Sequence, residues 1–109
     1  MSKYDVNKFK QVTVALNTPF QPDGSVDLKA VRAVVNYFYN KGIRQMYVCG
    51  STGEGFLLDT QERMAVTETV VEEAAGRMNI IVHVGCPDTR HSEELARHAE
   101  KAGADATSA

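Results

Sequence analysis

The sequence predicts an α/β fold in which parallel strands alternate with covering helices. Apolar runs of strand length alternate with segments of helical periodicity in the order β-α-β-α-β-α-β. The connections between them are short, and a glycine closes each helix. Strand faces add a third observation. Ile80, Val82 and Val84 alternate with Ile81, His83 and Gly85; Met46 and Val48 alternate with Tyr47 and Cys49; Val12, Val14 and Leu16 alternate with Thr13, Ala15 and Asn17. Each strand thus has one aliphatic face and one mixed face. A doubly wound open sheet, covered on both sides, wants both faces apolar. A crowded barrel interior, whose upper layer meets a ligand, accepts the mixed one. Both architectures fit the alternation, and the faces favour part of a (β/α) barrel.

The elements follow in order. Val12 to Leu16 is the core of a first strand near 12–18, which Pro19 ends because proline cannot continue a ladder. Pro22-Asp23-Gly24-Ser25 is a turn. Asp27 caps a helix whose apolar face is Leu28, Val31, Val34, Val35 and Phe38, and Gly42 stops it. The second strand lies near 43–49. Asp59, with Glu62 three residues on, opens the second helix as a capping box. That helix buries Met64, Val70, Val71 and Ala74 and ends at Gly76. A third strand, near 79–85, precedes a turn at Pro87-Asp88-Thr89. The third helix carries Leu95, Ala96, Ala99 and Ala102 inward and closes at Gly103. Residues 104–109 begin a fourth strand.

The chain has 109 residues, 43% of them hydrophobic and 24% charged, which allows one globular domain at most. A net charge of -2 with interspersed signs offers no basic face for nucleic acid. The start, Met1-Ser2-Lys3-Tyr4-Asp5, has no apolar signal core, and no apolar run approaches a membrane span. A cytoplasmic protein is expected. Cys49 and Cys86 stand at strand ends, in no paired motif, and read as buried free thiols. His83, His91 and His98 lack metal-ligand spacing, so no metal is expected; His91 and His98 fall in a polar helical segment and read as solvated. His83 reads as a core histidine with one partner, and Tyr47 as a packed aromatic with a tethered hydroxyl.

The chemistry concentrates in Tyr47-Val48-Cys49-Gly50-Ser51-Thr52-Gly53-Glu54-Gly55, where a strand end runs into a glycine-framed Ser-Thr pair. Gly50, Gly53 and Gly55 are expected to take left-handed conformations and to bring backbone N–H groups close to a ligand. Ser51 and Thr52 add two hydroxyls, so a small carboxylate or phosphate would meet several donors. A phosphate P-loop would need Lys after its second glycine, where Phe56 stands. A dinucleotide fingerprint fails as well, because Phe56, Leu57 and Leu58 follow Gly53-Glu54-Gly55. A plain turn without a ligand is the competing reading.

Three stretches, Val14-Ala15-Leu16-Asn17-Thr18-Pro19-Phe20, Asp23-Gly24-x-Val26-Asp27 and Tyr47-x-x-Gly50-Ser51-Thr52-Gly53-Glu54, together resemble the N-acetylneuraminate lyase / dihydrodipicolinate synthase family. The resemblance runs from Gln11 onward. It implies a TIM barrel and a class I aldolase that forms a Schiff base between a lysine and pyruvate, with no cofactor. Within the family, the Ser51-Thr52 pair, Gly55-Phe56-Leu57-Leu58 and His83-Val84-Gly85-Cys86 are similar to the lyase branch, which cleaves N-acetylneuraminate to N-acetylmannosamine and pyruvate. The resemblance implies that Ser51 and Thr52 hold the pyruvate carboxylate, that Ser51 also helps relay a proton to a tyrosine, and that Tyr47 lies near the substrate.

The family's Schiff-base lysine and proton-donor tyrosine would lie on later strands. Lys3, Lys8 and Lys10 precede the first strand, and Lys29, Lys41 and Lys101 belong to helices or their ends. A complete barrel takes about 250 residues. The chain therefore reads as the N-terminal half of a TIM (β/α)8 barrel, about four β/α units, and by itself is expected to be inactive. Dihydrodipicolinate synthase, or another pyruvate-dependent aldolase, is the alternative parent. A non-catalytic half-barrel that self-associates through open sheet edges, and so forms a homo-oligomer, is the alternative of another class.

Overall fold

A computed structural model describes residues 5–109; Lys3 lies outside them. Four strands, β1 (Val14–Ala15), β2 (Gln45–Val48), β3 (Asn79–His83) and β4 (Ala106–Ser108), lie side by side in sequence order, all parallel. The helices α1 (Leu28–Asn40), α2 (Thr60–Ala74) and α3 (Thr89–Ala102) connect them. With every crossover of one hand, a strand order that never reverses puts all the helices on one side of the sheet. That is the pattern of a barrel wall. A doubly wound sheet would reverse its order.

Burial follows the sidedness. Met46, Val48, Ile80 and Val82 are buried against Val31 and Val35 of α1, Val66 and Val70 of α2, and Leu95 and Ala99 of α3. Tyr47, Ile81 and His83, on the other face, are only half-buried. The helix starts are those of the sequence. Asp27 accepts from the Ala30 N–H at 3.0 Å, and Asp59 and Glu62 form the reciprocal capping box. Asp88 accepts from the His91 N–H and begins α3.

Several expectations need correction. The first strand is shorter than 12–18. Val12, assigned to the aliphatic face, is 73% exposed, because the ladder with β2 begins only at Val14. The inward face of α2 is wider than its apolar residues suggested, since Arg63, Thr67 and Thr69 are buried along with Val66. His98 is not solvated; its Nε2 lies 2.9 Å from Glu68 of α2, and its side chain is largely covered. Cys49 is a buried free thiol as expected, whereas Cys86 is only half-buried.

The N-terminal ends of the strands carry a polar floor. The Gln45 side chain is fully buried and donates to the Phe9 carbonyl at 3.1 Å and to the Thr13 hydroxyl. Its oxygen accepts from Asn79 at 3.1 Å, and Asn79 donates also to the Lys8 carbonyl at 3.0 Å. The short 3-10 helix Val6–Phe9 thus lies across the bottom of the sheet, and Lys8 pairs with Asp105 at 2.9 Å just before β4. Any ligand is left the opposite, C-terminal end.

Candidate functional site

The C-terminal end of β2 runs into the glycine loop. Cys49 takes a left-handed backbone (φ 61°), and so does Glu54 (φ 56°). Gly50, Gly53 and Gly55 do not, which corrects the expectation placed on them. They are glycines for want of room. A Cβ on Gly50 would lie 2.5 Å from Cε1 of Tyr47, and one on Gly53 would lie 2.9 Å from the Leu16 carbonyl oxygen. One on Gly55 would overlap the Cys49 carbonyl, 2.8 Å from its carbon. The loop is therefore folded tightly on itself and on the end of β1. Glu54 N–H donates to Ser51 at 3.0 Å and Gly55 N–H to Gly50 at 3.0 Å, which closes the turn.

That closure leaves donors free. Among the described residues, neither the N–H groups nor the hydroxyls of Ser51 and Thr52 make a hydrogen bond within the chain, and both residues are exposed. Tyr47 underlies the loop, with its ring against Gly50. Its hydroxyl is 3.0 Å from Nδ1 of His83 and 3.1 Å from Oγ of Ser108. The tethered tyrosine and the core histidine of the sequence are thus each other's partners. Burial, helped by the charge of Arg63, holds the His83 imidazole below its ordinary pKa and so neutral at pH 7.

Arg63 is the residue that sequence reasoning missed. It projects from the first turns of α2 with 3% of its surface exposed. Its guanidinium donates to the His83 carbonyl at 2.7 Å, to the Gly85 carbonyl at 2.8 Å and to the Cys86 sulfur at 3.4 Å. Those carbonyls lie where β3 ends, so Arg63 supplies the partners that a missing ladder would have left wanting. Arg63 and Thr67 also face the Cys49 thiol, but burial dominates and pushes it up to about 11. Cys49 therefore stays a thiol at neutral pH. A signal existed: extending the buried stripe Val66, Val70, Ala74 back one turn lands on Arg63. Ser108, in the terminal residues of the chain, and Phe56, whose ring meets His83 edge-on at 5.7 Å, also belong to the site.

A cleft of about 510 Å³ lies elsewhere. It runs along α3 and β4 between Ala96, Arg97, Asp105 and Thr107. In a (β/α) barrel that groove receives the next helix. Among the described residues no cluster of His, Cys, Asp or Glu could hold a metal ion. Among the same residues no helix is long and apolar enough to cross a membrane.

A parallel wall in sequence order, with its helices on one side and a donor-rich loop at the C-terminal end of a strand, is the architecture of the opening units of a TIM barrel. The chain belongs to the dihydrodipicolinate synthetase family, whose profile matches residues 8–109. It is 44% identical over 98 residues to an N-acetylneuraminate lyase of Escherichia coli, covering 90% of this chain and 33% of that protein. Among solved structures, a Ruminococcus gnavus sialic acid aldolase with its catalytic lysine mutated superposes with a TM-score of 0.91 at 37% identity, over 94% of this chain and 34% of the other. A prophage protein of the dihydrodipicolinic acid synthase family from Escherichia coli, solved with pyruvate, gives 0.87 at 27% identity, over 91% and 33%. The chain spans about a third of the length of the curated relatives it matches.

Proposed function

We propose that this chain is the N-terminal part of a class I pyruvate aldolase of the N-acetylneuraminate lyase type, and that its β2 loop holds the pyruvate carboxylate. The observation that carries the reading is the pairing state of that loop. Ser51 and Thr52 offer two N–H groups and two hydroxyls with no partner among the described residues, at the ligand end of the wall. A carboxylate satisfies such a cluster with charge-assisted bonds. Ser51 would also pass a proton to a tyrosine supplied by a later strand, and Tyr47 supports the loop from beneath.

The Schiff base requires a lysine desolvated enough to be neutral. Among the described lysines, Lys8 is paired with Asp105 at the floor, exposed Lys10 ends the 3-10 helix, Lys29 and Lys101 are on helices, and Lys41 caps the end of α1. The electrophile-forming lysine therefore comes from outside these residues, and the 109-residue chain alone is inactive. A dihydrodipicolinate synthase shares the loop chemistry and differs in the second substrate. Self-association of the isolated chain through its open inner face is a second expectation, because Phe56 is 62% and Leu57 77% exposed beside that face.

Borohydride trapping with pyruvate, read by mass spectrometry, tests the reading. The full-length protein should gain one reduced pyruvyl adduct and the 109-residue chain none. Losing a hydrogen bond to a charged group costs about 1.5–3 kcal/mol. Ser51→Ala in the full-length protein should therefore lower kcat/KM roughly tenfold or more. Unchanged kinetics in both Ser51→Ala and Thr52→Ala would reduce the loop to a structural turn.

A further inference from the structure

The hydroxyl of Tyr47 is the meeting point of three strands. Tyr47 sits on β2 opposite Ile81, yet its ring reaches the level of His83 and Ser108, which face one another across β3 and β4. A phenol oxygen carries one proton and can accept another, so it is satisfied by one donation and one acceptance. A neutral imidazole and a serine hydroxyl, at 3.0 and 3.1 Å, can supply these in either sense. His83 is itself confined. Arg63 binds its carbonyl at 2.7 Å, Phe56 meets its ring edge-on, and a Cβ on Gly85 would stand 2.7 Å from its Nε2. Above the phenol ring lies Gly50, whose missing side chain is what lets the ring and the loop backbone come together.

We infer that His83 and Ser108 are positioning residues: by fixing the Tyr47 phenol they set the ring on which Gly50 rests, and so the height and tilt of the Ser51–Thr52 donors. The inference rests on the carboxylate-binding reading of that loop and adds to it the residues that hold it in register. Neither His83 nor Ser108 needs to touch substrate. A carboxylate is held alike before and during reaction, so a misplaced donor pair raises KM, and displacement of the Ser51 proton relay lowers kcat besides. Mere loss of folded protein lowers apparent kcat and leaves KM unchanged, since it removes active molecules without altering those that remain.

The test is steady-state kinetics of the full-length protein with N-acetylneuraminate, alongside borohydride trapping with pyruvate. One net hydrogen bond corresponds to about a fivefold effect. His83→Leu should raise KM about fivefold, whatever its effect on kcat. His83→Asn, whose amide reaches the Nδ1 position, should recover most of the loss. Ser108→Ala, which removes no buried ring, gives a second route should His83→Leu fold poorly, and should raise KM in the same way. In a Tyr47→Phe background, His83→Leu should add less than about twofold, because the shared partner is already gone. Equal losses in His83→Leu and His83→Asn, or losses that multiply in the double variant, would overturn the inference and leave the carboxylate loop standing. No trapped pyruvate in the unmodified protein would remove both.

Discussion

Gly55→Ala tests the claim that the loop glycines are dictated by space and not by backbone torsion. The new Cβ would overlap the Cys49 carbonyl oxygen and lie 2.8 Å from the carbonyl carbon. Both are backbone atoms, and Cys49 already sits in the left-handed region, so no flexible side-chain end can yield. Relief requires a backbone shift of about 1 Å, on the scale of overpacking that costs about 1–3 kcal/mol. The same shift strains the 3.0 Å bond from the Gly55 N–H to Gly50, worth about 1 kcal/mol. Gly55→Ala should thus destabilise by about 2–4 kcal/mol. Gly53→Ala should cost less, since its contact, 2.9 Å to the Leu16 carbonyl oxygen, is milder. Urea unfolding of the full-length protein, with the slope checked for constancy, measures both. A Gly55→Ala protein within about 0.5 kcal/mol of the parent, the range of an ordinary surface substitution, would refute the close-approach reading.

The two thiols should differ in reactivity. At about pH 8, iodoacetamide should label half-buried Cys86 well before Cys49, whose thiol is buried and held up to about 11; equal labelling rates by peptide mass spectrometry would contradict the buried assignment. His83 should contribute a pH dependence of stability. Its folded pKa is depressed below the ordinary value of about 6.5, first by burial and then by Arg63, so below that value the unfolded chain binds the proton more readily. The contribution is present above about 6.5 and is lost as pH falls through the folded value. The His83→Asn protein should therefore lose less stability than the parent between about pH 7 and about pH 5.5. Parallel curves would count against an imidazole held neutral in the fold.

The wall was legible because its determinants are local. The stripe Val31, Val35 on α1 and the alternation Ile80, Val82, Val84 on β3 depend only on the periods of helix and strand, and the caps Asp27 and Asp59 only on short spacing. The loop was legible by composition, but its physics was misassigned. Sequence suggests glycine for torsion, whereas here the crowding of Leu16, Tyr47 and Cys49 decides it, and crowding depends on what folds back from elsewhere. Arg63 and the Gln45–Asn79 pair were missed for a related reason. Each is a polar residue whose burial makes sense only once its distant partners are in place, the His83 and Gly85 carbonyls for Arg63 and the Phe9 and Lys8 carbonyls for the two amides.

Those amides bear on how the strands find their register. Parallel strands with an aliphatic outer face resist sliding by one residue, because that would turn every side chain to the wrong side. Sliding by two keeps the faces and meets no such penalty. Gln45 stands opposite Asn79 and accepts from it, and both amides donate to carbonyls of the N-terminal turn. A two-residue slip would bring Gln45 level with Ile81, leaving a buried amide beside an aliphatic side chain and breaking the Gln45–Asn79 bond. Apolar patterning thus excludes the odd misalignments and the polar floor excludes the even ones. The far end of the same strands, where Ser51 and Thr52 must stand at a fixed height, inherits its alignment from a checkpoint at the base.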